Sequence, residues 1–146
     1  MRRAAAAIAI VGASLALAAV AQASGPTLGR KGVFLNGEGF GAVKPRVVTD
    51  GGDGSTVYQA ITWPRWGGKS ASGFGRGLCA SATLPNSEWP TCNLALRADE
   101  LGNCRGHSAY RRLTVYFGWR PIGGDRYRGH YQYKLVYRNL CGKQIV

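Results

Sequence analysis

The sequence predicts an all-β domain, a small antiparallel β-sandwich or barrel with two disulfides. Short runs rich in β-branched and aromatic residues alternate with clusters of glycine, proline and aspartate, which is typical of strands joined by turns. No stretch after the first residues has a convincing helical periodicity. The chain contains four cysteines, an even count that fits two disulfides and an oxidising compartment.

The first residues are predicted to direct export rather than to join the fold. Arg2 and Arg3 precede a run of small apolar residues, Ala4–Val20, and Ala21-Gln22-Ala23 fits a small-x-small cleavage site. We therefore expect a signal peptide over residues 1–23 and a secreted protein, extracellular or associated with the cell envelope. The alternative is a membrane anchor, because the run approaches the lower limit of about 17 residues for a spanning helix.

The rest of the chain is predicted to form one domain over residues 47–146. A glycine-rich, basic segment (24–46) precedes it, and we expect that segment to be partly mobile, with one short strand at Val33–Leu35. The strands predicted for the domain are Val47–Thr49, Val57–Trp63, Lys69–Leu78, Tyr110–Trp119 and Tyr127–Arg138. The residues from Ala80 to His107 are predicted to be loop-like, with one or two helical turns at Asn93–Leu101.

The stretch ITWPRWGGKSASGFGRG (61–77) combines two tryptophans with a row of glycines. In a strand, Gly73, Gly75 and Gly77 share one face, because side chains alternate with period two. A nearly bare face allows close approach of a large group, and Trp63 and Trp66 lie just across the predicted hairpin. The stretch therefore predicts aromatic packing; a sugar-stacking platform on the two tryptophans is the alternative. The spacing does not match the GxGxxG pattern of a dinucleotide-binding loop.

This stretch also carries a resemblance. The pattern ITWPRWGG, the run Ala71–Gly75, Cys104 and the strand Tyr110–Val115 are similar to a group of small secreted actinobacterial proteins, uncharacterised, with a W-x-x-W-G and A-x-G-x-G core. The resemblance covers roughly residues 45 to 120. It implies export and a common fold, and it implies no catalytic residue.

The last two predicted strands form a hairpin about the turn at residues 121–126, in a register that pairs residue numbers summing to about 246. The odd-numbered face is apolar and aromatic, and it is predicted to face the core. The even-numbered face is predicted to be basic and to lack carboxylates, with Arg112 directly opposite Lys134. Its candidate binding residues are Tyr110, Arg112, Tyr116, Arg120, Arg126, Arg128, His130, Lys134 and Arg138.

Like charges opposite each other are destabilising, so a bound polyanion would relieve repulsion on this face, and tyrosines between the cations offer surfaces for stacking. The chain has 19 Lys and Arg against 7 Asp and Glu. We therefore expect a non-enzymatic binding module whose partner is an anionic polymer: a teichoic acid, an acidic polysaccharide, a nucleic acid or an anionic lipid surface. The alternative is a charged, solvated face that binds no ligand and only discourages pairing with the edge strand of another sheet.

The cysteines match neither zinc-site nor CxxC spacing, so no metal or cofactor is expected. The register places Cys141 near Cys104, which favours the pairs Cys104–Cys141 and Cys79–Cys92. The alternative, Cys92–Cys104 with Cys79–Cys141, stays open.

A small secreted hydrolase, most plausibly a nuclease, is the competing functional class. It would need a histidine beside a carboxylate as general acid and base. The candidates are His107, His130, Glu38, Glu88 and Glu100, and none forms a recognisable local motif. Asp50 and Asp53 faintly resemble a calcium loop, although two carboxylates among glycines usually make a turn.

Overall fold

The computed structural model describes residues 25–52 and 54–143. These residues form nine strands: β1 (Thr27–Leu28), β2 (Val48–Thr49), β3 (Val57–Arg65), β4 (Ala71–Leu78), β5 (Thr91–Cys104), β6 (His107–Phe117), β7 (Arg120–Ile122), β8 (Asp125–His130) and β9 (Tyr133–Tyr137). One 3₁₀ turn at Asn86–Glu88 is the helical element of this part of the chain. The prediction of an all-β domain is confirmed. The predicted signal peptide lies outside the described residues.

Seven strands form one sheet that curls into a half-barrel. The order is β1-β6-β5-β4-β3-β2, and β9 also pairs with β6. Because β5 occupies one edge of β6, β1 and β9 share the other: β1 runs parallel to Ala109–Tyr110, and β9 runs antiparallel to Leu113–Phe117. Strands β7 and β8 form a separate two-stranded hairpin. We call the side of the sheet that covers the core the inner side, and the opposite side the outer side.

The glycine row of β4 lies on the inner side and receives an aromatic ring. A Cβ atom at Gly73 would lie 2.7 Å from Cε3 of Trp63, and one at Gly75 would lie 3.0 Å from Cγ1 of Ile61. Only glycine leaves room for these contacts. Trp66 does not lie over the glycines: its ring packs edge-on between Trp63, at 4.8 Å, and Tyr110, at 5.1 Å. The packing interpretation of residues 61–77 therefore describes both tryptophans.

Strand β5 corrects the prediction of a loop with helical turns at Asn93–Leu101. It is 14 residues long and central, hydrogen-bonded to β4 on one edge and β6 on the other. Leu94, Leu96 and Ala98 alternate into the core, which is the period of a strand. Leucine, alanine, arginine and glutamate are good helix formers, but pairing along both edges outweighs that local preference.

The register of the last hairpin is also corrected. Leu113 pairs with Tyr137 and Phe117 with Tyr133, so the paired numbers sum to 250 rather than 246. The prediction assumed one continuous hairpin, whereas the chain leaves the sheet at Gly118, which has a φ of 68°. The Gln132 side chain packs within 3 Å of the position that a Cβ at Gly118 would take. Because the shift of four is even, the odd-numbered residues of β9 still pair with Leu113 and Phe117, whose side chains are buried in the core.

Both favoured disulfides are confirmed. The Cα atoms of Cys104 and Cys141 are 5.4 Å apart, and those of Cys79 and Cys92 are 5.7 Å apart. The pairing survives the register error because the chain continues along β6 beyond β9. The amide of Leu140 donates a hydrogen bond of 2.9 Å to the carbonyl of Arg111, which brings Cys141 to the end of β5.

The described part of the glycine-rich segment contributes to the core. Leu28, Val33, Phe34 and Phe40 are buried, and both phenylalanine rings pack against Tyr137. The structure has no strand at the predicted position in this segment; its strand is β1. Among the described residues, no helix is long and apolar enough to cross a membrane.

Candidate binding site on the outer side

The outer side of β5, β6 and β9 forms a shallow groove of about 320 Å³. We call it the basic groove, and its lining residues are Arg97, Asp99, Arg112, Thr114, Tyr116, Lys134, Val136 and Arg138. Four of these side chains are cationic and one is a carboxylate. The groove therefore brings together Arg112, Tyr116, Lys134 and Arg138 of the predicted site, and it adds Arg97.

Arg112 does not face Lys134, and the outer side does not lack carboxylates. Asp99 of β5 lies opposite Arg112, and their side chains form two contacts, of 2.6 Å to Oδ1 and 2.9 Å to Oδ2. Glu100 Oε1 lies 2.7 Å from another guanidinium nitrogen of Arg112. The hydrogen bond to Asp99 raises the pKa of Arg112. Arg112 is therefore a paired structural cation, and Lys134 lies opposite Tyr116 instead.

The other cations of the groove are more available to a ligand. Lys134 and Arg138 are exposed, and neither forms an ion pair or side-chain hydrogen bond among the described residues. Arg97 contacts Asp99 Oδ2 at 3.1 Å, but its side chain is 58% exposed. Asp99 is thus shared by two arginines, and the groove keeps an excess of positive charge.

A second cavity, of about 470 Å³, lies between the β7–β8 hairpin and the outer side of the sheet. We call it the aromatic cleft. Its aromatic lining residues are Phe74, Tyr116, Trp119, Tyr127 and Tyr131. Ile122 adds a large aliphatic side chain. Arg97 and Tyr116 line both the cleft and the basic groove, so the two form one continuous surface. Arg128, a predicted site residue, lines the cleft.

Ring contacts hold the hairpin against the sheet. The rings of Phe74 and Tyr127 lie 5.7 Å apart. The guanidinium of Arg65 lies 3.7 Å from the centre of Tyr127, and that of Arg126 lies 4.5 Å from the centre of Phe74. Cation–π contacts of this kind add to the packing of the rings. Arg126 is a predicted site residue, and the structure uses it in this contact outside the cleft.

Three further predicted site residues lie elsewhere. Arg120 and His130 pair with each other in the β7–β8 hairpin, and neither lines the groove or the cleft. Tyr110 is in the core, and its hydroxyl bridges the backbone of Gly67 and Gly68. The prediction that Tyr110 lies on the basic face is wrong because buried and exposed residues do not alternate at this end of β6: its neighbour Ala109 is also fully buried.

The hydroxyl groups of the cleft have no partner within the described chain. Ser72, Tyr116, Tyr127 and Tyr131 line the cleft, and none of their hydroxyls forms a hydrogen bond with another described residue. The remaining tyrosines, 58, 110, 133 and 137, all use theirs. A hydroxyl is both donor and acceptor, so the cleft has unused capacity for both.

The candidates for catalysis are dispersed. His107 lies opposite Cys104 at the start of β6, and within the described residues neither histidine contacts a carboxylate. Asp50 accepts hydrogen bonds from Gly52 and Thr56, as in a turn, and Asp53 lies outside the described residues. In residues 25–52 and 54–143, no group of three His, Cys, Asp or Glu side chains is arranged to hold a metal ion.

Comparison with known proteins gives no further assignment. No family model matches the chain, and neither a curated protein nor a solved structure matches it. The resemblance to small actinobacterial proteins therefore stays a prediction. The function has to be argued from the geometry of the outer side.

Proposed function

We propose that this protein is a secreted, non-enzymatic binding module for an anionic polymer of the cell envelope or the extracellular space. The observation that carries the proposal is the basic groove. Lys134 on β9 and Arg138, the residue just after β9, lie at its edge with no ion-pair partner among the described residues. Arg97 lies across the groove with 58% of its side chain exposed. Asp99 already pairs with Arg112 and Arg97, so the charges of Lys134 and Arg138 are available to an external anion.

Export is supported by two features. The domain contains two disulfides, and such bonds persist in oxidising compartments outside the cytosol. The first residues of the chain have the charged start, apolar run and small-residue site of a signal peptide. The resemblance to small secreted actinobacterial proteins agrees with both. The partner would then be one of the polyanions found outside the cell.

Binding fits the geometry better than hydrolysis does. A nuclease needs an acid and a base within hydrogen-bond reach of one phosphate. The described histidines lie on different hairpins, β5–β6 and β7–β8, and neither lines the groove or the cleft. The side chains that do line the groove are suited to holding anions.

Charge reversal tests the groove against general basicity. The Lys134→Glu/Arg138→Glu double variant should bind heparin or another polyanion at least about tenfold more weakly than the parent, because two contacts with the polymer become repulsive. The Lys31→Glu/Arg46→Glu double variant is the matched control. It makes the same change in net charge at exposed residues that line neither cavity.

The logarithm of the association constant should also fall linearly with the logarithm of the salt concentration, because binding releases counterions. The slope should be shallower for the groove variant than for the control. Equal losses in the two folded variants would mean that net charge, and not the groove, attracts the polymer. No binding by the parent at low salt would overturn the proposal.

A further inference from the structure

We propose that the anionic partner is an acidic polysaccharide, whose sugar rings lie in the aromatic cleft while its carboxylate or sulfate groups lie in the basic groove. This inference rests on the proposed function and names its class of ligand. The two cavities are continuous through Arg97 and Tyr116. A ligand that occupies both must therefore carry rings and anionic groups on one chain.

The rings of the cleft are held in place before a ligand arrives. Tyr116 contacts Tyr131 at 4.9 Å and Trp119 at 5.9 Å between ring centres. The cations Arg65 and Arg126, which contact the rings of Tyr127 and Phe74, do not line the cleft. They support these rings from outside and leave the cleft free for a ligand. Rings fixed in this way lose little conformational freedom when a sugar packs on them.

The hydroxyl groups of the cleft favour carbohydrate among the possible polyanions. The hydroxyls of Ser72, Tyr116, Tyr127 and Tyr131 have no partner in the described chain. Sugar hydroxyls are themselves donors and acceptors, so they match this set of groups. A single-stranded nucleic acid could place bases in the cleft, but its deoxyribose-phosphate backbone offers acceptors alone and its bases carry fewer donors than a sugar ring. A polyol phosphate has no ring to occupy the cleft.

The cations of the combined surface suit acidic sugars as well. Arg97 lines both cavities and Arg128 lines the cleft, so guanidinium groups lie beside the rings as well as in the groove. A guanidinium binds a carboxylate or sulfate through two parallel hydrogen bonds. A neutral polysaccharide would use the rings and hydroxyls but would leave the cations unpaired. The surface as a whole therefore matches a polymer of charged sugars.

The test compares three oligomers of equal charge at one salt concentration: an oligogalacturonate, a poly(glycerol phosphate) and an oligothymidylate. The parent should bind the oligogalacturonate at least about tenfold more tightly than the other two, since each of its residues joins a ring, hydroxyls and a carboxylate, whereas poly(glycerol phosphate) has no ring and thymidine offers only its N3–H as a donor. Tyr131→Ala should remove about tenfold of that affinity and leave binding of poly(glycerol phosphate) unchanged. Tyr131 is 44% exposed, so the variant is expected to fold.

Two further variants separate the contribution of the Tyr131 ring to binding from that of its hydroxyl and from a general loss of apolar surface. Tyr131→Phe keeps the ring and should weaken oligogalacturonate binding about threefold, the loss of one modest hydrogen bond. Leu135→Ala is the control, because Leu135 is 39% exposed and lines neither cavity. It should bind all three oligomers as the parent does.

The outcomes distinguish this inference from the proposed function. Equal binding of all three oligomers, unaffected by Tyr131→Ala, would overturn the polysaccharide assignment and leave a general polyanion module. Tighter binding of oligothymidylate, reduced by Tyr131→Ala, would overturn it in favour of single-stranded nucleic acid. Binding of none of them would overturn the inference and the proposed function together.

Discussion

The two sides of the sheet differ in whether the polar atoms of their aromatic side chains are hydrogen-bonded within the protein. On the inner side, the indole nitrogens of Trp63 and Trp66 donate to backbone carbonyls at 2.8 and 3.0 Å, and the hydroxyls of Tyr58 and Tyr137 lie 2.7 Å apart. On the outer side, the hydroxyls of Tyr131 and the other cleft tyrosines form no hydrogen bond with any residue of 25–52 or 54–143. Buried polar groups must be hydrogen-bonded to avoid a desolvation cost, whereas polar groups on a binding surface are solvated and available to hydrogen-bond a ligand.

Strand β4 shows how one segment serves both sides. Gly73 and Gly75 make room for Trp63 and Ile61 on the inner side, while Ser72 and Phe74 line the cleft on the outer side. The inner residues of this strand therefore fix the fold, and the outer ones belong to the candidate site. Changes on the inner side should alter stability, and changes on the outer side should alter binding.

The largest expected effect concerns the disulfide that follows the buried Leu140. Removing Cys104–Cys141 with two serines should lower the free energy of unfolding by about 4 kcal/mol, because the bond closes a loop over 37 residues. Removing Cys79–Cys92, which spans 13 residues, should cost about 3 kcal/mol. Urea unfolding measures both. A larger loss from the shorter loop would show that unfolded-chain entropy does not set the order.

The glycine row provides the next largest effect. Gly73→Val places a branched side chain where even a Cβ would lie 2.7 Å from the Trp63 ring, so we expect a loss of about 3 kcal/mol from overpacking. Gly68→Val is the matched control, because its nearest neighbour would be the Ser70 carbonyl at 3.7 Å. Urea midpoints compare the two variants. Equal destabilisation would contradict a ring seated on Gly73.

Alkaline pH should weaken the inner side. Burial raises the pKa of Tyr58 and of Tyr137 above the ordinary value of 10.0. Below pH 10 both phenols are neutral in the folded and unfolded states; above it the unfolded chain ionises first, so stability falls as pH rises. The slope should reach about 1.4 kcal/mol per pH unit for each tyrosine. Tyr58→Phe should reduce that slope in urea unfolding, and an unchanged slope would contradict this assignment.

The smallest effect comes from a matched pair of hydroxyl deletions. Tyr58→Phe should cost about 1 kcal/mol of stability by removing the hydrogen bond to Tyr137, and it should leave polymer binding unchanged. Tyr131→Phe should change stability by less than about 0.5 kcal/mol and weaken oligogalacturonate binding. Thermal unfolding and fluorescence titration measure the two properties. Reversed effects would break the division between the two sides.

Local chemistry was enough to predict much of the fold from the sequence. The bare glycine face of β4 and the tryptophan across the hairpin follow from period-two alternation, and the structure contains that contact. The favoured disulfides also agree, although the pairing relied on a register that is shifted by four residues. The pairing is correct because the chain past Leu140 runs toward the end of β5, and this path depends little on the exact register.

The site could not be predicted fully, because its partners come from non-local pairing. Asp99 neutralises Arg112 from β5, a strand whose residues read locally as helix formers, although Leu94, Leu96 and Ala98 carry the alternation that could have identified it. The aromatic cleft exists because the chain turns out of the sheet at Gly118, which places Tyr131 on the outer side. The alternation marks β5 as a strand, but nothing in it shows that Asp99 lies opposite Arg112, and a glycine at 118 does not show where the chain goes after it.

Backbone amide chemical shifts, followed by NMR while an oligogalacturonate is added, test the binding surface most directly. Binding on the outer side predicts that the largest shifts occur at the residues shared by or adjoining the two cavities, Arg97, Tyr116, Arg128, Tyr131 and Lys134, with small shifts around Lys31 and Arg46. Shifts spread over all basic residues, or concentrated in the segment 25–46, would contradict a binding site formed by the basic groove and the aromatic cleft.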